Sequence, residues 1–458
     1  MSEKNIILLI IDTLRKDRSM PVWDVLKDRG FLSYSNVIAP SPWTIPSHAS
    51  IFTGKYPILH GAHETKEKKA FNVVIKDRSG FLTDELKELG FENHLLTANP
   101  YITSSFGYSG FDHEIEILHE TKFDILSSKE SKELFRLRRE MDSTSGMIRY
   151  LLCKGRIGLL FKGMLNRITT SAPATSLFHR YQFRFQRWPQ EKGAKKMVDH
   201  FKKNTWAGTD HPHFFMINVM EVHEPYFRRP ILSMKLNMNN NLFEKTVDEG
   251  FIRKLENAYD NEVKMISVSI DHLMRTLEKD DLLRDNLIII TSDHGQLLGE
   301  HDQFGHGTFL FDEVLRVPLF IRYPKGSLKK ARKKRDGYIS LTKLYDLILS
   351  MAGKGSFDEN MLFSETVFAE THGISNVFEP TEDIEKEKVE QLERFKIATY
   401  SQACKMIFDV GRFDVDEISG SEERVPREIE ERLKKRSYSF FRQLEKKNIS
   451  KVKFGKKI

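Results

Sequence analysis

The sequence predicts an α/β fold, a doubly wound and mostly parallel sheet flanked by helices, with a smaller C-terminal α+β subdomain. Continuous apolar runs of the kind found in strands buried on both faces occur at Asn5–Ile11, Phe214–Val219 and Asn286–Thr291. Polar clusters follow all three runs directly. Because open α/β sheets place their sites at the carboxyl ends of strands, these clusters indicate one shared site.

The other predicted elements alternate along the chain as an α/β fold requires. Val317–Ile321 is a fourth apolar strand, and the helical stretches before it include Thr83–Gly90 and Glu256–Glu278. The later elements are a helix at Leu341–Ala352, strands at Val367–Glu370 and Phe395–Tyr400, and a charged helix at Arg427–Leu444.

A basic run at 329–335 indicates an exposed loop, and we place the domain boundary there. The main domain then covers 1–328 and contains a basic helical insert at about 120–190. The C-terminal subdomain and its basic tail cover 329–458.

The composition is that of a globular protein, with 40% hydrophobic and 30% charged residues. Its two cysteines, Cys153 and Cys404, cannot form a disulfide framework, and no secretory signal precedes the first strand. We therefore expect a cytoplasmic protein. The net charge of +7 is spread along the chain, and no zinc-finger or RNP-like pattern occurs, so nucleic acid is not an expected partner. The sequence predicts no particular oligomeric state.

Asp12 follows the first predicted strand directly. A carboxylate at the end of a strand is rigidly held and accessible, as a ligand of a hard cation must be. The alternative is that Asp12 caps a following helix, since aspartate is a favoured N-cap residue.

The segment Ser41–Gly54 reads SPWTIPSHASIFTG and places hydroxyl residues beside Pro46. Such a segment can hold a nucleophile at the start of a helix, where exposed backbone amides favour an anion. The alternative is a proline-initiated helix with a threonine cap.

The third polar cluster begins with Asp293 and His294, directly after a predicted strand. His301 and His306 follow within a few residues. Acidic and imidazole side chains gathered behind a buried strand indicate a metal site.

Three long motifs, in this order along the chain, resemble the sulfatase family, the sulfatase-like branch of the alkaline-phosphatase superfamily. They are IDTLR at Ile11–Arg15, PWTIPSHASIFTGKYP at Pro42–Pro57 and SDHGQLLGEH at Ser292–His301. The resemblance covers nearly the whole chain, is weakest at about 120–190, and implies the alkaline-phosphatase-like α/β fold. Further agreement comes from His223–Tyr226, Tyr259–Glu262, Leu315–Arg322 and Val367–Glu370.

The resemblance implies a divalent ion held by Asp12, Asp293 and His294. Thr44 stands in the nucleophile position and is implied to touch the same ion. Typical sulfatases carry asparagine at the position of His294 and favour calcium. Since imidazole shifts the preference towards zinc or manganese, we expect one of these two metals, with calcium or magnesium as the alternatives.

Five further histidines match positions of the family. His48 stands where typical sulfatases carry an arginine beside the nucleophile, and His306 where many carry a lysine that contacts the substrate. His223 matches a histidine that lines the same pocket. These three are implied to stabilise substrate charge and to transfer protons. His301 is a further substrate-binding candidate, with a capping or supporting role as the alternative, and His60 is expected to be structural.

Thr44 departs from the family pattern, because sulfatases oxidise a cysteine or serine at this position to formylglycine. Oxidation of a secondary alcohol gives a ketone, so Thr44 cannot become that aldehyde. A metal can instead activate its hydroxyl, which resembles the superfamily's phosphodiesterases and phosphotransferases. The sequence therefore predicts a metal-dependent hydrolase or transferase that acts on phosphodiester, phosphonate or sulfate esters through Thr44. The alternatives are a sulfatase that works without formylglycine and a non-catalytic binding protein.

Within the insert, Met147–Ile168 combines apolar residues at roughly helical spacing with five cations and no acid. This composition suits a helix on an anionic membrane surface, here the cytoplasmic face. The alternative is a lid or core-packing helix, and glycines at 155, 158 and 163 argue against one continuous helix. The expected substrate is a small-molecule, glycan or lipid-linked anionic ester.

Overall fold

The structure is a computed structural model, and its largest element is an eight-stranded sheet with the strand order β10-β2-β9-β6-β1-β5-β3-β4. It describes residues 5–117, 125–141, 143–169, 192–204, 211–224, 226, 249–279, 282–375, 383–420 and 425–452. The strands of the large sheet are β1 (Ile6–Ile11), β2 (Leu32–Ile38), β3 (Glu92–Thr97), β4 (His113–Glu116), β5 (His213–Val219), β6 (Leu287–Thr291), β9 (Arg316–Arg322) and β10 (Tyr338–Ser340). A separate short hairpin between β6 and β9 contains β7 (Leu297–Leu298) and β8 (Phe304–Gly305).

The neighbouring strands of this sheet are parallel except where β9 pairs with β2 and β6. The helices are α1 (Met20–Leu26), α2 (Thr44–Thr53), α3 (Pro57–His60), α4 (Leu82–Glu88), α5 (Ser128–Glu140), α6 (Thr144–Cys153), α7 (Ile157–Thr169), α8 (Ala194–Lys203), α9 (Glu249–Lys279), α10 (Asp312–Leu315), α11 (Lys343–Lys354), α12 (Asp383–Leu392) and α13 (Arg427–Val452). Short 3₁₀ turns lie at Lys27–Arg29, Ala70–Asn72, Ser104–Phe106, Glu300–Asp302 and Glu359–Leu362.

Helices cover both faces of the large sheet, and β1 shows why its sequence is continuously apolar. Ile6, Leu8 and Ile10 pack into the layer that contains α2, α4 and α11. The alternate residues, such as Leu9, pack into the layer that contains α1, α8 and α9. Strands buried on both faces require this composition. The predicted fold class is confirmed.

A second, four-stranded antiparallel sheet forms the small C-terminal subdomain. Its strands follow one another as β11 (Thr366–Thr371), β12 (Lys396–Ser401), β13 (Cys404–Asp409) and β14 (Asp414–Ser419). Helix α13 covers this sheet, where Phe440 stacks on Phe368 at a centroid distance of 4.0 Å. The division at residue 328 stays a prediction. Of the elements beyond it, β10 is an edge strand of the large sheet and α11 packs on that sheet.

The insert consists of three helices, α5, α6 and α7, in its described parts, and 118–124 and 170–191 lie outside the described residues. Leu137, Leu151 and Leu159, one from each helix, form a small core. The segment 147–168 is not a single helix, because α6 ends before Gly155, whose φ is +66°. Glycine takes this left-handed conformation without a side-chain penalty.

We predict that Ile289→Ala destabilises the protein by about 2–5 kcal/mol, since it removes buried methyl groups and leaves a cavity. Ile289 lies in the middle of β6 and is fully buried. The matched control is Val268→Ala on α9, where the side chain is 50% exposed. Chemical denaturation measures both variants. Equal midpoints for the two would contradict the position of β6 in the core.

Candidate metal and nucleophile site

Asp12 and the pair Asp293–His294 lie side by side because β1 and β6 are neighbouring parallel strands. Their register pairs Ile10 with Thr291, so the residues that follow each strand emerge at the same edge of the sheet. One ligand atom from each of the three side chains lies within 4.8 Å of the others, and all three side chains are fully buried. The sheet topology therefore builds a potential cation site from two distant parts of the sequence.

The imidazole of His294 is oriented towards the two carboxylates. Its Nδ1–H donates to the carbonyl of Gly295 at 2.9 Å, which leaves Nε2 without a proton. Nε2 lies 3.3 Å from Asp293 Oδ2 and 3.8 Å from Asp12 Oδ1. Burial lowers the pKa of His294 to about 4, so the ring is neutral and able to act as a ligand at neutral pH.

One oxygen of each carboxylate accepts hydrogen bonds from neighbouring residues, and the other oxygen accepts none from the described residues. Asp12 Oδ2 accepts from Asn99 Nδ2 at 2.6 Å, and Asp293 Oδ1 accepts from the backbone amides of His294 at 2.9 Å and Thr13 at 3.4 Å. The backbone of Thr13 is left-handed, with φ of 60°, a strained conformation for threonine. Local strain of this kind is typical of functional sites.

The donor set fits a divalent cation. Asp12 Oδ1 and Asp293 Oδ2 are buried and accept no hydrogen bond from the described residues. Burial, with the nearby charge of Asp12, raises the pKa of Asp293 well above its usual value. Two buried carboxylates without compensation are costly, and a bound cation would remove that cost. Carboxylates, an imidazole and a hydroxyl are all donors that divalent metal ions take in proteins.

Thr44 is the first residue of α2 and faces the same cluster. Its Oγ1 lies 3.3 Å from His294 Nε2, and the side chain is buried. Helix α2 is tied to the loop after β6, because Ser47 Oγ donates to the carbonyl of Asp293 at 2.6 Å. Trp43, and not Thr44, occupies the N-cap position, and α1 has Ser19 at that position, so neither Thr44 nor Asp12 caps these helices.

His48 lies one turn further along α2. Its Nδ1–H donates to the carbonyl of Thr44 at 3.0 Å and lies 3.4 Å from Asp293 Oδ2, while Nε2 accepts from Asn218 Nδ2 at 3.2 Å. Burial lowers the pKa of His48 to about 4. A neutral ring positions its neighbours but carries no charge to offset that of a substrate.

His306 and His223 form the half-buried side of the site. The ring centroid of His306 lies 4.5 Å from that of His294 and 5.1 Å from that of His223. His306 Nδ1–H donates to Gln296 Oε1 at 2.7 Å, so Nε2 is free of a proton. Burial, followed by the unfavourable electrostatic interaction with the neighbouring imidazoles, lowers the pKa of His306 well below 6.5. His306 is therefore a proton acceptor at neutral pH.

The remaining two predicted histidines have other partners. His301 is exposed, stacks on Phe311 at 3.8 Å, and places Nε2 3.4 Å from Glu313 Oε2. His60 Nε2–H donates to Ser50 Oγ at 3.0 Å, and its Nδ1 accepts from the amide of Ala62 at 3.1 Å. The structure brings neither ring into the cluster around Asp12.

Four residues that support the site were not predicted. Asn99 follows β3 within two residues, and the rule that identified Asp12 would also have identified it. Asn218 is the one polar residue inside an apolar run, and Gln296 lies within the motif of Asp293. Lys192 donates through Nζ to the carbonyl of His223, and burial lowers its pKa to about 8. Nothing in the local sequence of Lys192 indicates this position.

Comparison with known proteins gives consistent matches. The sulfatase family model matches residues 4–354. An N-acetylglucosamine-6-O-sulfatase of Bacteroides thetaiotaomicron is 43% identical, but over only 63 residues, 14% of this chain and 11% of that protein. An arylsulfatase of Clostridium perfringens is 20% identical over 383 residues, 76% of this chain and 74% of that protein.

Among solved structures, a phosphonate monoester hydrolase of Silicibacter pomeroyi superposes with a TM-score of 0.59 and 15% identity, covering 96% of this chain and 95% of that one. This likeness bears on the fold alone. Because the family model spans well over half of the chain, the chain belongs to the sulfatase family.

Proposed function

We propose that this protein is a metal-dependent phosphoester hydrolase that acts on phosphodiesters or phosphonate esters with Thr44 as its nucleophile. The observation that supports this most directly is the position of Thr44 Oγ1, 3.3 Å from His294 Nε2 and beside two buried carboxylates. Because threonine cannot be converted to formylglycine, we assign the hydroxyl of Thr44 itself as the nucleophile.

Asp12, Asp293, His294 and Thr44 would hold the cation, for which the donor set favours zinc or manganese. When bound, the ion lowers the pKa of a coordinated hydroxyl and stabilises negative charge on the substrate. Asn99 and Ser47 keep Asp12 and the Asp293 loop in position through their hydrogen bonds.

The reaction would proceed by two displacements at phosphorus. Thr44 Oγ forms a bond to phosphorus while the bond to the leaving oxygen breaks, and the proton of Thr44 passes to the leaving alcohol. Water then attacks phosphorus, the bond to Thr44 Oγ breaks, and a proton from water returns to Thr44. His306 is suited to carry these protons because its ring lies 4.5 Å from that of His294 and its Nε2 is unprotonated, and His223 lies beside it. An alcohol in place of water would make the reaction a transfer.

The second candidate is hydrolysis of sulfate esters, which the family membership favours. It would use the same residues without formylglycine. A non-catalytic binding role is a weaker proposal, because Asp12, Asp293 and His294 are all present and converge.

We predict that Thr44→Ala lowers the turnover of an aryl phosphodiester by at least about 1,000-fold, the scale seen when a covalent nucleophile is removed. Metal-stripped protein is assayed after manganese or zinc is added back, with aryl sulfate as the paired substrate. Thr53→Ala, at the far end of the same helix, is the matched control and keeps activity. Sulfate turnover without phosphodiester turnover would favour the second candidate, and full activity of Thr44→Ala would refute both.

We also predict that activity persists below pH 6.5 and falls only in more acidic solution. His294 and His306 act as neutral groups, and burial lowers both pKa values below the ordinary 6.5. Protonation, which removes their function, therefore requires a lower pH than for an exposed histidine. The pH dependence of kcat/KM between pH 4.5 and 8 measures this. A fall of kcat/KM in acid with its midpoint at or above pH 6.5 would contradict the proposed protonation states.

A further inference from the structure

A second cluster of potential metal ligands lies at the opposite edge of the large sheet. Glu92, His94 and His213 each place one ligand atom within 4.8 Å of the others, and His113 lies next to them. The register pairs Glu92 with His213 and His94 with His113 across the amino ends of β3, β4 and β5. The carboxyl end of β5, about 20 Å from His213 at ~3.3 Å per residue, lies beside Asp12.

The distances in this cluster resemble those between ligands of a bound ion. His94 Nε2 lies 3.0 Å from His213 Nδ1, which lies 3.4 Å from Glu92 Oε2. Two ligands at ~2.0–2.1 Å from a tetrahedral zinc ion are roughly 3.3 Å apart. His113 Nε2 lies 2.6 Å from Glu92 Oε1 and so helps to hold that carboxylate in place.

The surroundings suit an ion that enters from solvent. The rings of His94 and His213 are buried, and Phe215 stacks on His94 at 4.7 Å. The side chains of Glu92 and His113 are 36% and 52% exposed. Burial lowers the pKa of His94 to about 4, so its ring is already deprotonated, as a metal ligand must be.

We propose that Glu92, His94 and His213, with His113 holding Glu92 in place, form a structural site for zinc or a similar transition-metal ion. Two imidazoles and a carboxylate are a ligand set that zinc commonly takes. Because the site joins the neighbouring strands β3 and β5 at the end of the sheet away from Thr44, its role would be to stabilise the sheet.

The experiment counts metal ions on the full chain. Chelator-stripped protein is dialysed against zinc and measured by elemental analysis, and cobalt is then bound to record its visible absorption spectrum. We expect two ions per chain in the wild type and one in His94→Gln/His213→Gln. Glu92→Gln, at a more exposed position, guards against misfolding and is expected to weaken binding at least tenfold. His272→Gln, an exposed histidine on α9, is the matched control and keeps two ions.

A wild-type ion count that falls to zero in Asp293→Asn/His294→Gln, or a count that is unchanged in both ligand variants, would overturn this proposal. Asp293→Asn/His294→Gln separates the two sites, since it removes the other ion and is expected to retain the one bound at Glu92. The number of ions bound at the Glu92 cluster therefore tests this proposal independently of the proposed catalytic function.

An independent observation concerns the outer face of the insert. Ile157, Phe161, Met164 and Ile168 recur at intervals of three or four along α7 and are 59–65% exposed, and Leu152 on α6 is 53% exposed. Residues at this spacing share one face of a helix. Since the opposite side of α7 supplies Leu159 to the small core, α7 is apolar on both its inner and its outer face.

The charges around this face are cationic. No acidic residue occurs in 147–168, and Arg149, Lys154 and Arg167 are exposed. Two further cations, Arg156 and Lys162, pair with glutamates of α5. Exposed apolar side chains bordered by cations match the chemistry of an anionic bilayer surface. Among the described helices, none is long and apolar enough to cross a membrane.

The insert is connected to the candidate site by aromatic packing. Phe135 of α5 contacts Phe106 at a centroid distance of 5.0 Å, and Phe106 contacts Tyr101 at 5.3 Å. The amide of Tyr101 donates to Asn99 Oδ1 at 2.9 Å, and Asn99 binds Asp12. The insert, which presents the apolar face, therefore packs next to the loop that contains Asn99 and Tyr101 and contacts Asp12.

We infer that the face formed by α6 and α7 binds the headgroup region of an anionic membrane. A lipid-linked anionic ester then becomes the expected substrate class, a step that rests on the proposed function. Membrane binding itself does not depend on catalysis, and Thr44→Ala is expected to bind membranes as the wild type does.

Co-sedimentation with vesicles tests this inference. We expect the full chain to bind phosphatidylcholine vesicles that contain phosphatidylglycerol, and to bind pure phosphatidylcholine vesicles at least about tenfold more weakly, with binding reduced by salt. Phe161→Ser/Met164→Ser/Ile168→Ser is expected to lose this binding. Met265→Ser/Val268→Ser, at exposed apolar positions of α9, is the matched control.

Absent co-sedimentation, or equal binding by the triple variant and its control, would overturn the membrane assignment. Size-exclusion chromatography provides the second readout. If the wild type is a dimer, the triple variant is a monomer, and both bind vesicles equally, then the face is a contact between copies of this chain and the membrane proposal is wrong.

Discussion

The buried carboxylates of Asp12 and Asp293 impose the constraint on which the site depends. They lie beside each other at the ends of two neighbouring strands, and each keeps one oxygen without a hydrogen bond from the described residues. Burying two such groups is unfavourable unless a cation compensates them. The amide of Asn99, the hydroxyl of Ser47 and the strained backbone of Thr13 all hold the pair in this arrangement.

Much of the fold was predictable because burial on both faces leaves a distinct sequence signal. The runs in β1, β5 and β6 are almost entirely apolar, with Asn218 as the polar exception in β5, and all three are neighbouring strands of the sheet. The order of strands was not predictable, since it depends on contacts between distant residues. The antiparallel β9, which separates β2 from β6, has an apolar centre at Val317–Ile321 much like the parallel strand β1, so its direction leaves no local signal.

The candidate site was predictable to the extent that its residues follow strands or lie in long motifs. Asp12, Asp293, His294 and Thr44 converge as expected, while His301 turns to Glu313 and Phe311. Charge states required the structure, because burial, and not residue type, makes the ring of His48 neutral. The supporting role of Lys192 could also be recognised only from the structure, because its contact with the carbonyl of His223 depends on tertiary packing alone.

The central claim is that Thr44 becomes covalently bonded to phosphorus during turnover. Metal-loaded protein is mixed with an aryl phosphodiester, quenched in acid within the first turnovers, digested and analysed by mass spectrometry of the peptide that contains Thr44. The account predicts a phosphodiester adduct on Thr44 that disappears when the substrate is exhausted. Continued turnover with no adduct at Thr44, or an adduct on another residue, would contradict it.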